Sequence, residues 1–173
     1  MAPSAVTICN EIRGLIRDRK FAEALTNLRS IDKSWLPKTE LGQYCLLFAE
    51  ASLHTGDYSY VPVDEAIGAF RQSTDTDGFA QAKFLKGWWL TVQGRHIDAK
   101  ESLLEAYTGF LRADNQLGAA RALNRLAYAA LQLGDLSTAG APLEMSQSSP
   151  IYRQLSGRQS GQPELQSLKR DVK

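Results

Sequence analysis

Reactive side chains are scarce in this chain. Among its 173 residues are only two cysteines and two histidines. Cys9 and Cys45 form no C-x-x-C pair and are too few for a disulfide framework. Each lies in an apolar, helix-like segment and reads as a small core filler. His54 and His96 stand far apart, without a second ligand one helical turn away, so a zinc site is not expected. Both read as solvated turn histidines. No G-x-x-x-x-G-K-[ST] or G-x-G-x-x-G run occurs, and Asp75, Asp77 and Gly78 lack the glutamate spacing of a calcium loop. Catalysis needs a nucleophile, a base and an orienting group, or a metal cluster. The chain is therefore not expected to be an enzyme, and neither a cofactor nor a metal is expected.

An excess of one charge is missing as well. Twenty basic residues face 19 acidic ones, a net charge of +1. No global field draws the chain to nucleic acid or anionic lipid. Direct nucleic-acid binding is thus not expected. The densest basic cluster, Arg13, Arg17, Arg19 and Lys20, reads as a solvated helix face. No apolar run approaches the roughly 20 residues of a membrane span. Residues 1–8 lack the basic stretch and apolar run of a secretory signal. A cytoplasmic protein with no membrane contact is the expectation.

What the chain does contain is internal self-similarity. The stretch 80–107 carries Gly87, Leu90, Gly94, Ala99, Leu103 and Ala106. Forty residues later Ala127, Gly134, Ala139 and Leu143 stand at the places of Gly87, Gly94, Ala99 and Leu103. An earlier copy opens with Ala49 and Gly56, is interrupted by the insertion Tyr58-Ser59-Tyr60-Val61-Pro62, and resumes at Ala66 and Phe70. A fainter copy holds Ile12, Leu15, Ala24 and Leu28. Two antiparallel helices pack closely where small side chains meet, so Gly87 or Ala127 is expected to face Ala99 or Ala139. Larger residues such as Phe70, Leu103 and Leu143 would fill the space between neighbouring pairs. Gly56, Gly94 and Gly134 are placed to end helices in the left-handed conformation.

Periodicity and capping residues predict helices over 5–17, 21–31, 38–55, 63–73, 78–93, 97–113, 116–133 and 141–148, and no strand. Residues 73–78 read as a turn that caps the following helix. Gly140 and Pro142 disfavour the last helix. Either that helix restarts at Pro142 or the end of the array is loose. Domain limits follow: 1–149 for the helical array and 150–173 for a turn-rich tail. Within that tail, 164–172 is either a capping helix or the opening of a further unit.

The registered pair of copies resembles a tetratricopeptide (TPR) repeat array. The stretch 117–127 is similar to arrays in large bacterial transcription activators and peptide-responsive regulators. The resemblance implies an all-α, right-handed superhelix of about four antiparallel helix pairs, with about eight to nine helices. It departs from the pattern at Lys83 and Leu123, which stand where an early aromatic is expected.

The resemblance further implies a concave groove lined by the first helix of each pair. At the inward-pointing places stand Gln43, Leu46, Glu50, Leu53 and His54, then Gln81, Phe84, Trp88, Thr91 and Val92. Next come Arg121, Asn124, Tyr128, Leu131 and Gln132, with Cys9, Arg13 and Arg17 from the faintest copy. The groove set is Gln43, Glu50, Gln81, Phe84, Trp88, Arg121, Asn124 and Tyr128. Aromatic anchors and amides suit a protein or peptide partner. Trp88 is expected to face the groove, and Trp89 to pack on the preceding pair. The lysine- and asparagine-rich clamp of chaperone-binding members is not recognisable. The resulting expectation is a protein- or peptide-binding module, a regulatory part of a bacterial transcription or signalling protein. The alternative is a structural homo-oligomerisation module, a possible homodimer.

Overall fold

In the computed structural model, residues 5–135 and 140 are described. They form seven α-helices and no strand: α1 Ala5–Arg17, α2 Phe21–Arg29, α3 Lys38–Thr55, α4 Val63–Arg71, α5 Thr76–Val92, α6 His96–Arg112 and α7 Gln116–Gln132. The helices expected at 141–148 and 164–172, the residues Ala139 and Leu143, and the domain boundary at 149 lie outside the described residues.

Local chemistry accounts for the helix limits. α5 begins two residues before the predicted start because the Asp75 carboxylate accepts from Gly78 N–H at 2.7 Å. α2 and α4 stop two residues short of the prediction. There the Ser30 and Ser73 hydroxyls donate to the carbonyls of Asn27 and Phe70, at 2.7 and 3.0 Å. A short 3-10 turn, Lys33–Trp35, was not legible beforehand; Asp32 caps it through Ser34 N–H at 2.9 Å.

Four helix ends close in one way. The N–H of Lys20, Arg95, Asn115 and Asp135 reaches back to the carbonyl of Leu15, Leu90, Phe110 and Ala130. The residue before each donor is left-handed: Arg19, Gly94, Asp114 and Gly134. Gly94 and Gly134 answer the expectation, whereas Arg19 and Asp114 do the same without glycine. Gly56 is also left-handed, but a longer connection follows it. That insertion is tied down rather than loose. Ser52 Oγ donates to the Tyr60 carbonyl at 3.1 Å, the Phe48 and Tyr60 rings meet edge to face, and Lys33 Nζ reaches both Tyr60 Oη and Glu65 at 2.7 Å.

Each helix packs on its chain neighbours, and α1–α3, α3–α5 and α5–α7 also meet. α1, α3, α5 and α7 thus stand side by side. α2, α4 and α6 form a second layer, each bridging two helices of the first. α3 is enclosed by α1, α2, α4 and α5, which is why Tyr44, Cys45, Leu46, Leu47, Phe48, Ala49, Ala51 and Leu53 are all buried. Cys9 is buried too.

The joints between neighbouring units recur. The Phe70 ring of α4 lies on the Cα of Gly78, and forty residues later the Phe110 ring of α6 lies on Gly118. In each case the glycine's N–H is taken by the cap residue three positions earlier, Asp75 or Asn115. One expectation is corrected here. The side chain nearest Gly87 is Leu103 rather than Ala99: a Cβ on the glycine would come within 2.5 Å of Leu103 Cγ. Leu103 is thus the knob seated in the Gly87 notch inside the α5–α6 hairpin, not a filler between units. A branched side chain uses the room that glycine leaves, whereas two facing small residues would leave a void.

Candidate binding groove

The side-by-side layer carries a cleft of about 270 Å³. α1 gives it Arg13 and Ile16; α3 gives Gln43, Leu46, Leu47 and Glu50; α5 gives Gln81, Phe84 and Leu85. α6 contributes Phe110, and the start of α7 contributes Asn115, Leu117, Gly118 and Arg121. The floor is apolar and the rim amide and charged. Five residues of the sequence-derived set therefore gather in one place: Gln43, Glu50, Gln81, Phe84 and Arg121.

Their contacts are specific. Arg13 donates through one guanidinium nitrogen to Asn10 at 2.8 Å and through the other to Gln43 Oε1 at 2.9 Å, linking α1 to α3. The Arg121 guanidinium sits 4.9 Å from the Phe84 ring centroid and 3.9 Å from Glu50 Oε1. Burial pushes the Glu50 carboxyl above its ordinary range, and Arg121 opposes that shift. Gln81 donates to Asp77, whose other carboxylate oxygen accepts from Asn115 Nδ2 at 2.7 Å. Asn115 thereby caps α7 and fastens its start to that of α5.

Trp88 departs from its expected role. It is on the groove layer but only 8% exposed, covered by the Arg125 guanidinium 4.2 Å from its ring centroid. It is a platform, not an exposed anchor. Trp89 packs against Tyr58 of the preceding connection, ring centroids 5.2 Å apart, as expected. Leu53 and Thr91 are buried. Asn124 is half-buried and Tyr128 is exposed. Neither lines the cleft; both lie further along α7.

His54 is exposed at the end of α3, as the sequence suggested, but its ring is not free of contacts. Its ring lies flat on Phe21 (centroids 4.0 Å, 10°) and edge-on to Trp88 (4.8 Å, 87°). Its solvent exposure is confined to what these two rings leave open. Burial, reinforced by Arg121, Arg125 and Arg19, pushes its pKa down to about 4. Arg125 is absent from the sequence-derived groove set, although it lies one helical turn from Arg121 and so on the same face. The basic cluster of Arg13, Arg17, Arg19 and Lys20 is exposed, as expected of a solvated face, and Arg13 in addition donates to Gln43.

No protein-family model, curated protein or solved structure matches the chain. Among the described residues no helix is long and apolar enough to cross a membrane, and no three acidic, histidine or cysteine side chains gather as a metal site requires.

Proposed function

We propose that this chain is a protein- or peptide-binding helical-repeat module of the TPR kind. The observation that carries the reading is the cleft shared by α1, α3, α5 and α7, with an apolar floor and a rim of Gln43, Gln81, Arg13 and Arg121. Such a lining suits an extended chain, whose backbone amides the glutamines can pair and whose apolar side chains the floor can bury. The repeat part of the reading draws support from the recurring joint, Phe70–Asp75–Gly78 and Phe110–Asn115–Gly118. The likeness of 117–127 to peptide-responsive regulators extends the proposal to a regulatory part of a bacterial transcription or signalling protein.

The test is to pan random displayed peptides against the full chain and measure the enriched sequences on Gln43→Ala, Gln81→Ala, Asn124→Ala and Tyr128→Ala. At least one variant is expected to weaken binding about tenfold, the scale of a single interface anchor. Undiminished binding to all four would overturn the groove assignment.

A second reading, homo-oligomerisation, is favoured by one other feature. Ile97, Leu104 and Leu111 form a stripe at heptad spacing on α6, exposed by 73, 53 and 44%. If that stripe joins two copies, Leu104→Glu shifts sedimentation from dimer to monomer. A wild-type chain that sediments as a monomer at every concentration removes this reading.

A further inference from the structure

We propose that the cleft selects a neutral primary amide, a glutamine or asparagine side chain of the bound peptide, which bridges Arg121 of α7 and Glu50 of α3. The inference rests on the groove reading and adds to it the side chain that the groove recognises.

Three observations carry it. The first is a gap of defined width. Arg121 lies over Phe84 of α5, and its Nη2 stops 3.9 Å from Glu50 Oε1. That is too far for a hydrogen bond between the two. A primary amide holds its oxygen and its nitrogen about 2.3 Å apart, with one N–H on the same edge as the oxygen. With a hydrogen bond of about 2.9 Å at each end, such an edge spans a gap of about 4 Å. The amide oxygen then accepts from Arg121, and the amide N–H donates to Glu50. A single trans peptide group cannot do the same, because its N–H and C=O point in opposite directions.

The second is charge. The pair presents one cation and one anion at a single spot. A carboxylate drawn to Arg121 would meet Glu50, and an ammonium drawn to Glu50 would meet Arg121. Arg13, the third charge on the lining, donates to Asn10 and Gln43 from an exposed place on α1. Water is largely withdrawn from Glu50, since burial raises its carboxyl further than Arg121 lowers it. A neutral group with both a donor and an acceptor gains contacts there without bringing a charge out of water.

The third is shape. The cleft, about 270 Å³, falls below the roughly 300–1,000 Å³ of a pocket that encloses a drug-sized ligand. It suits one or two side chains beneath a peptide that crosses the rim, their methylene groups lying on the apolar floor. The Phe84 ring, 4.9 Å from the Arg121 guanidinium, uses only the face of a group that carries five N–H donors along its edges. Nucleobases also set a donor beside an acceptor, but single strands need open aromatic faces for stacking, and Phe84 is only 5% exposed.

The experiment begins with random displayed peptides panned against the full chain, and glutamine or asparagine is expected to dominate one position of the enriched sequences. The leading peptide is then labelled and compared by fluorescence anisotropy with versions carrying Glu, Lys or Met at that position. Each version is expected to bind at least tenfold more weakly, the loss of a charge-assisted contact. The Met version keeps the main chain and an unbranched side chain, and so reports on the amide alone. Substitutions in the protein should redirect the preference. Glu50→Leu leaves Arg121 without its opposing charge, and the Glu version should overtake the amide peptide. In Arg121→Leu the Lys version should overtake it. Arg112→Gln, on the exposed end of α6, should leave the order unchanged, and circular dichroism verifies that each variant is folded. An enriched set with no amide position, equal binding of the amide and Met versions, or an amide preference that survives in both folded leucine variants would each overturn the proposal. Tighter binding of an oligothymidylate of equal length would overturn it too. If the panned peptides still lose affinity on the Gln43, Gln81, Asn124 or Tyr128 variants, the groove stands and only its amide specificity falls. If panning returns no binder, or the binders ignore those variants, both fall together.

Discussion

Asn115 and Asp75 do the same work at the start of α7 and α5, each taking the N–H of a glycine three residues on. An amide rather than a carboxylate stands at 115 because its second function is to donate to Asp77 Oδ1. Asn115→Asp keeps the cap and turns that donor into a second anion at hydrogen-bond distance. Thermal unfolding at neutral pH should show a loss of about 1–2 kcal/mol, with part of it recovered in acid as the carboxylates protonate. Glycines separate just as sharply by neighbour. Gly68 has open space where a Cβ would go, so Gly68→Ala in α4 should stabilise by roughly 0.5–1 kcal/mol through helix propensity alone. At Gly118 the same Cβ would come within 2.5 Å of the buried Phe110 ring. Overpacking outweighs propensity there, and Gly118→Ala should destabilise by about 1–2 kcal/mol in urea titrations. The sequence marked Gly87 as a site of close packing but singled out neither Gly68 nor Gly118, because it could not name what each one faces. Gly87 shows why: the partner of a notch depends on the rotation of two helices, which periodicity does not specify.

At the level of elements, the helices were legible because each presents either a periodic apolar face or an unbroken apolar body bounded by caps. The 3-10 turn Lys33–Trp35 was not, since three residues carry no period. Four of the five left-handed helix ends and connections illustrate a related limit: Gly94 and Gly134 announce themselves, but Arg19 and Asp114 adopt the same backbone. Groove residues were readable to the extent that helix phase fixes them, hence the five that converge on the cleft. Trp88 was misjudged because its cover, Arg125, comes from a helix 37 positions on, and such a pairing is set by packing between elements.

One stack joins three elements. Phe21 of α2, His54 of α3 and Trp88 of α5 lie ring against ring. Protonating His54 would place a charge between two apolar faces and beside three arginines. Its pKa is about 4 in the folded chain, against about 6.5 when unfolded. Between those values the unfolded chain holds more protons, so stability should fall as pH drops from about 6.5 towards 4. The loss is roughly 1 kcal/mol once the screening of its open edge is allowed for. Urea midpoints at pH 7 and 4.5 measure it, and His54→Gln should flatten the difference over that window. An unchanged slope in the variant would assign the effect to other groups.

For the molecule as a whole, helix packing among the described residues runs between neighbours in the chain and between next-but-one helices, and the approach of Arg121 in α7 to Glu50 in α3 reaches further. The joint at Phe70, Asp75 and Gly78 and the joint at Phe110, Asn115 and Gly118 present the same parts at the same intervals. Cutting out residues 75–114 would join Thr74 to Asn115 and set Phe70 before Asn115 and Gly118 at the native spacing. The shortened chain should refold as a helical protein with one hairpin fewer, seen as retained helicity per residue and a single cooperative melt of lower midpoint. Splicing in a second copy of 75–114 should lengthen it by the same step. If both chains fold so, the joint is a coupling of standard gauge: the chain's length becomes an adjustable quantity, and the span of the cleft can be set in increments of one hairpin.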